Sequence, residues 1–199
     1  MAALPPVPVS DDSSTTPLDR ALEWRVRPAV PADCGAAALV AQATFLETYA
    51  TLLPAADLVD FCAGEHSAAA YRAFLAEGAR LWLAEEARTG APLGYALLTE
   101  PDLGAASGEF AAAPDDIELK RIYALSCGQG LGLGSALLAA VVDAARALGR
   151  TRLVLGVYRG NARALAFYER SGFVPVGTRR FIVADAAYDD FILARPLGG

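Results

Sequence analysis

The stretch of residues 117–148, IELKRIYALSCGQGLGLGSALLAAVVDAARAL, constrains the fold more than any other part of the chain. Residues 117–125 alternate apolar and polar, as a strand with one buried face does. From Gly132 the apolar residues Leu133, Leu137, Leu138, Val141, Val142, Ala145 and Leu148 recur on one helical stripe. The spacing therefore predicts a helix over about 132–148, with Gly149 as its stop. Between the two elements lies Gln129-Gly130-Leu131-Gly132-Leu133-Gly134-Ser135. Glycine lets the chain turn tightly and lets a ligand approach without meeting a Cβ. The unpaired N–H groups and the dipole of the new helix favour an anion, most simply a phosphate or pyrophosphate. A tight strand-to-helix turn with no ligand explains the same glycines, and the motif alone does not separate the two.

The rest of the chain supplies the layers around this unit. Residues 1–22 are rich in Pro, Ser, Thr and Asp without an apolar period and read as a flexible tail; residues 23–199 read as one domain. Trp24 and Val26, flanked by Arg25 and Arg27, mark a short strand. Leu39, Val40, Ala43, Leu46 and Ala50 fall at helical spacing, Pro54 breaks that helix, and a second helical stretch runs over about 55–78. Residues 80–86 and 93–100 read as a hairpin. Residues 101–116 form a long connection of the kind that is often functional or mobile. Residues 153–158 are a strand, residues 161–171 a short helix with Asn161 as N-cap, and residues 173–183 and 188–194 two last strands. The order β-α-α-β-β-β-α-β-α-β-β is that of an α/β (α+β) domain with helices covering a mixed sheet.

Composition removes several function classes. The 199 residues are 54% hydrophobic and carry a net charge of −6, so no counterion-release attraction to nucleic acid is expected. No apolar run is long enough for a membrane span, and no signal-peptide layout is present. Cys34, Cys62 and Cys127 are widely spaced with no CxxC pair, so a metal site is not expected and a reduced, cytoplasmic chain is. His66 is the only histidine. It reads as a surface or loop residue, and Cys127 as incidental.

Three phosphate motifs compete for the glycine cluster. A Walker loop needs a lysine at the helix start, but the only lysine is Lys120, upstream. The dinucleotide pattern GxGxxG/A fails at its sixth position from Gly128, Gly130 and Gly132 alike. The pattern Q/R-x-x-G-x-G/A is met by Gln129, Gly132 and Gly134. A second signature, N-x-x-A-x-x-F-Y-x-x-x-G-F, is met by residues 161–173. With both in this order, the chain resembles the GNAT superfamily of N-acetyltransferases over about residues 23–197. The segments Thr44-Phe45, Thr48-Tyr49-Ala50, Gly94-Tyr95-Ala96, Arg121-Ile122-Tyr123, Leu155-Gly156-Val157 and Asp190-Phe191-Ile192 are similar to the PaiA-like polyamine acetyltransferase branch. The long 101–116 connection and the Ala-rich helices depart from that branch.

The resemblance implies a GNAT-like, mostly antiparallel central sheet flanked by helices. It implies acetyl-CoA as cosubstrate, no metal, and direct acetyl transfer to a primary amine of a small molecule such as a polyamine. A protein or peptide acceptor, or a non-catalytic acetyl-CoA-binding module, are the alternatives. Homodimers through terminal strands are frequent in the family, but nothing in the sequence specifies one. The resemblance further implies that Gln129, Gly130, Leu131, Gly132, Leu133, Gly134 and Ser135 cradle the pyrophosphate. It gives Ile122, Tyr123 and Ala124 as backbone partners of the pantetheine, Asn161 as a contact to the coenzyme arm, and Arg121 and Arg163 as candidates for its phosphates.

The reaction then needs two proton-handling groups. An alkyl amine of pKa about 10.4 costs roughly 4–5 kcal/mol to keep neutral at pH 7, so a carboxylate must accept its proton. Glu118 is the candidate base, with a solvent-facing strand glutamate as the plain alternative. By resemblance, Tyr168 lies by the thioester sulfur and assists the leaving thiolate, with a core tyrosine as the alternative. Glu47, Tyr49, Asp57 and Asp60 stand on the helices that line the acceptor side in relatives.

Overall fold

The computed structural model describes residues 22–103, 110–183 and 186–198, with the backbone alone for 181–183 and 186–188. The expected tail 1–22, except Leu22, and the middle of the 101–116 connection lie outside the described residues. The strands are β1 (Trp24–Pro28), β2 (Arg80–Glu86), β3 (Pro92–Thr99), β4 (Asp116–Ala124), β5 (Arg152–Tyr158), β6 (Val174–Val183) and β7 (Ala186–Pro196). The helices are α1 (Cys34–Tyr49), α2 (Ala55–Ala63), α3 (Ala68–Ala76), α4 (Leu133–Ala147) and α5 (Ala162–Arg170). The strands form one sheet in the order β1-β2-β3-β4-β5-β7-β6. Every neighbouring pair is antiparallel except β4 and β5, which run parallel.

Strand alternation splits the core in two. Trp82, Ala84, Ala96, Leu98, Leu119 and Leu155 point to the face covered by α4, whose Leu133, Leu137, Val141 and Ala145 are at most 1% exposed. Leu81, Leu83, Tyr95 and Leu97 point to the opposite face and pack with α1 and Tyr71 of α3. Farther along that second face, Leu103 and Phe110, from the two described ends of the 101–116 connection, cover Val154 of β5 and Ile192 of β7.

Three local expectations needed correction. The stretch over 55–78 is two helices, so the order gains one α. Gly64 closes α2, and the Ser67 hydroxyl caps α3 by accepting from the Ala70 N–H at 3.1 Å. In α1 the buried stripe is Cys34, Ala37, Ala38, Val40, Ala41, Thr44 and Phe45, while Leu39 and Leu46 face outward. Small residues on the buried side let that helix lie close to the sheet, an arrangement that a count of large apolar residues misplaces. Leu148 follows the end of α4 and is exposed rather than part of its stripe.

Candidate active site

The parallel pair carries the main functional geometry. β4 and β5 are paired only at Asp116–Arg152, Ile117–Leu153 and Glu118–Val154. Beyond that point β4 continues to Ala124 beside β3 alone, and β5 continues to Tyr158 beside β7 alone. The strands part into a wedge, and the facing edge of β4 from Leu119 to Ala124 has no strand partner. Backbone N–H and C=O groups on such an edge are obligatory hydrogen-bonding groups in need of a partner. Ile122, Tyr123 and Ala124, the expected pantetheine partners, lie on this edge.

Asp116 holds the closed end of the wedge. Its carboxylate is 1% exposed and accepts from Arg152 Nε at 2.7 Å, from Arg152 Nη2 at 2.6 Å and from the Ala113 N–H at 2.7 Å. Burial opposes its ionisation, but these bonds outweigh burial and keep the carboxyl below its ordinary value. Between Leu97 and Leu98 of β3 the register with β4 shifts, leaving Lys120 as an extra residue. A bulge of this kind re-aims the side chains that follow it. Ile122 and Ala124 thereby return to the α4 side, while Arg121 and Tyr123 face α3 and Tyr95.

Glu118 sits at the vertex. It is 2% exposed, which removes the solvent-facing reading. Its carboxylate accepts from the Asp102 N–H at 2.8 Å. Burial raises its pKa, while Lys120, the Asp102 N–H and Arg179 pull the other way; the balance is upward. A carboxylate that is more basic than usual and held in place is suited to accepting a proton. Its strand neighbour across the vertex, Val154, packs with Leu103 and Phe110, so Glu118 faces the side of the sheet shared with α1 and α3.

Tyr168 approaches from the other side. It is 8% exposed, and its ring meets Phe167 and Phe173 edge-on at 5.3 and 5.5 Å. Among the described residues, its hydroxyl has no hydrogen-bond partner. Burial, and secondarily the nearby Tyr123 phenol, push its pKa far above the usual tyrosine value, so the group stays protonated. The residue is buried but this oxygen is not sealed from solvent, and an O–H donor without a partner among the described residues is available to a ligand.

The glycine loop is built as a backbone cradle. Gly130 and Gly132 have φ of 81° and 85°, a left-handed region that other residues enter at a cost. Gly132 is the N-cap of α4, and no side chain caps that helix. The first N–H groups of α4, at Leu133, Gly134 and Ser135, are left for another partner. A Cβ placed on Gly134 would lie 3.7 Å from the Phe167 ring, an ordinary contact, so packing does not require glycine there. Free N–H groups, a helix dipole and an unforced glycine together fit a pyrophosphate. Leu133 contributes only its backbone, because its side chain is buried in the core. Asn161 caps α5 through its side-chain oxygen, which accepts from the Ala164 N–H at 3.0 Å. Arg163 of α5 donates to the Gln129 side chain across the loop.

Arg121 and His66 belong elsewhere. Arg121 does not reach the glycine loop; its guanidinium donates to Glu65 O and Oε2, both at 2.7 Å, and to the Tyr71 hydroxyl at 3.3 Å. His66 is 5% exposed, not a surface residue. Its Nδ1 lies 3.3 Å from the Tyr71 hydroxyl, which donates to Tyr95 at 3.0 Å, and its ring packs against Phe45 and Phe61. Burial and the Arg121 charge bring its pKa down to about 3, so it is neutral. Glu47 is joined to the loop entrance by accepting from the Ser126 hydroxyl at 2.9 Å. Asp57 and Asp60 lie on α2. The pair Arg179–Asp190, at 3.2 Å, was not singled out from the sequence as a site. The Arg179 guanidinium passes directly over the space above Gly156, just beyond the vertex on β5. Glycine within a strand pattern was the available signal.

Comparison with known proteins accords with this geometry. The Acetyltransferase (GNAT) family model matches residues 46–173. The chain belongs to the GNAT acetyltransferase family. An uncharacterized N-acetyltransferase of Mycobacterium tuberculosis is 29% identical over 165 residues, covering 83% of this chain and 98% of that protein. A mycothiol acetyltransferase of Beutenbergia cavernae is 42% identical over 99 residues, or 48% of this chain and 29% of its own length. Among solved structures, the PaiA N-acetyltransferase of Thermoplasma acidophilum in complex with coenzyme A has a TM-score of 0.69 at 17% identity, covering 87% of this chain and 99% of that one. This GNAT chain is therefore an N-acetyltransferase. Among the described residues no group of three His, Cys, Asp or Glu is placed to hold a metal, and no helix is long and apolar enough to cross a membrane.

Proposed function

We propose that the chain transfers the acetyl group of acetyl-CoA directly to the primary amine of a small molecule, with a polyamine as the leading acceptor. The observation that carries this reading is the wedge itself, where β4 parts from β5 just beyond the buried Glu118 and leaves the edge of Ile122–Ala124 without a strand partner. Glu118, raised in basicity, lies at the vertex, and Tyr168, protonated and without a hydrogen-bond partner among the described residues, lies on the α4 side. The coenzyme's pyrophosphate would lie on the N–H groups of Gly130–Ser135, and its pantetheine amides would pair with Ile122, Tyr123 and Ala124 as an added strand does. Asn161 and Arg163 border that arm.

Glu118 accepts the ammonium proton and passes it to solvent, and the neutral amine attacks the thioester carbonyl. The C–N bond forms, the C–S bond breaks, the second nitrogen proton goes to the departing sulfur, and Tyr168 hydrogen-bonds that sulfur as its charge develops. A thiol ionises near pH 8.5 and tyrosine near 10, and burial raises Tyr168 further. Full proton transfer from Tyr168 is therefore uphill by more than about 2 kcal/mol, and hydrogen-bond stabilisation of the developing charge is its role.

The amine approaches along the face where Arg121–Glu65 ties β4 to the turn after α2, and where Leu103 and Phe110 cover β5 and β7. Thiol release from acetyl-CoA, measured with polyamines, amino acids and peptides in parallel, tests the reading. Turnover with a diamine or polyamine is expected; turnover confined to peptides would overturn it.

A further inference from the structure

A second cleft lies along α4 at the C-terminal end of α5. It is bounded by α4 from Ser135 to Arg146, by Arg170 and Ser171 at the end of α5, and by Arg195 of β7, and offers about 340 Å³ open to solvent. Leu138 and Val142 form an apolar floor. Three guanidinium groups from three different elements border it, against one carboxylate, Asp143. In a chain of net charge −6 this is a local reversal of sign.

The arginines are not consumed by the fold. Arg146 is oriented by donating its Nε–H to the Leu197 carbonyl at 2.7 Å, while its Nη1 lies 3.9 Å from an exposed Asp143 oxygen. Among the described residues, the side chains of Arg170 and Arg195 make no hydrogen bond or ion pair. Arg195 runs beside Gly172, where an added Cβ would stand 3.9 Å from its Nε. Guanidinium groups present planar forks that match phosphate oxygens, and the Ser135 hydroxyl adds a neutral donor, whereas that of Ser171 already donates to the Phe167 carbonyl at 2.8 Å. None of these arginines belongs to the wedge or to the loop from Gln129 to Gly134.

We propose that this cleft binds a phosphorylated small molecule at a site separate from the acyl-transfer centre. The assignment stands whatever amine the enzyme acetylates. Ser135 borders both this cleft and the glycine loop, so the coenzyme must be bound before the second site is probed.

The test titrates inorganic pyrophosphate into the full chain saturated with coenzyme A, by calorimetry, for the wild type and for R170Q/R195Q. Binding at one site is expected, weakened by about tenfold or more in the double variant, since charged hydrogen bonds are the stronger kind. Thermal midpoint and coenzyme affinity should be unchanged in that variant. No binding to the coenzyme-saturated protein would overturn the proposal, as would an affinity indifferent to R170Q/R195Q. A loss of coenzyme affinity in the double variant would assign the cleft to the coenzyme instead. Citrate binding as tightly as pyrophosphate would refute phosphoryl selectivity, and binding of a polyglutamate peptide alone would reassign the surface to a protein partner.

Discussion

Replacing Tyr168 by Phe removes one oxygen and leaves the rest of the ring in place. The ring packs edge-on against Phe167 and Phe173, and those contacts survive. The hydroxyl has no hydrogen-bond partner among the described residues, so the fold loses none, and stability should move by no more than about 0.5 kcal/mol. The cost falls on the transition state. A hydrogen bond to a charged group is worth about 1.5–3 kcal/mol, which converts to a fall of about 10- to 150-fold in kcat. KM for acetyl-CoA should stay within about twofold, because the lost bond is one the ground state does not need. Steady-state thiol release, with a thermal melt on the same preparation, reads both quantities. A variant with wild-type kcat refutes the assignment of Tyr168 to the leaving group. A variant that melts markedly lower would instead mean the hydroxyl is structural.

Other consequences follow from the same geometry. Glu118→Gln keeps an acceptor for the Asp102 N–H but cannot take a proton; kcat/KM should fall about 10²- to 10⁴-fold, and the acidic limb of the pH–rate profile should disappear. Gly132→Ala forces a side chain into φ 85° and should cost about 1–2 kcal/mol in a denaturant melt while weakening coenzyme binding in calorimetry. Because His66 is neutral in the fold with its pKa down at about 3, an unfolded chain binds one more proton between there and about 6.5. That stability is fully present above pH 6.5 and is lost as the pH falls toward 3, so His66→Gln should flatten the melting temperature between pH 6 and 4. Leu137→Ala, at a fully buried site on the sheet-facing side of α4, should cost about 2–5 kcal/mol without altering the substrate preference.

Much of this arrangement was legible in the residues themselves. The glycine loop and the helix after it stand out because backbone conformation and apolar period are local properties: Gly132 turns left-handed and Leu133 begins the buried stripe. Asn161 capped its helix as its side-chain chemistry dictates. The wedge was not legible from pattern, since alternation in β4 is the same whether or not β5 stays beside it. His66 was misplaced because burial among Phe45, Phe61 and Tyr71 depends on contacts between separate helices. Glu118 could be read either way for the same reason: only the closure of β4 on β5 and the return of Asp102 take it out of water. Arg179 and Asp190 meet across β6 and β7, and apart from the glycine at 156 in β5 nothing in the pattern announces such a pair.

The most direct measurement is a crystal structure of the chain with coenzyme A. The phosphates should lie on the N–H groups of Gly130–Ser135, the pantetheine should run along Ile122–Ala124 in the wedge, and the sulfur should lie within hydrogen-bond reach of the Tyr168 hydroxyl. A coenzyme bound with its sulfur outside the wedge, away from both Tyr168 and Glu118, would contradict the mechanism.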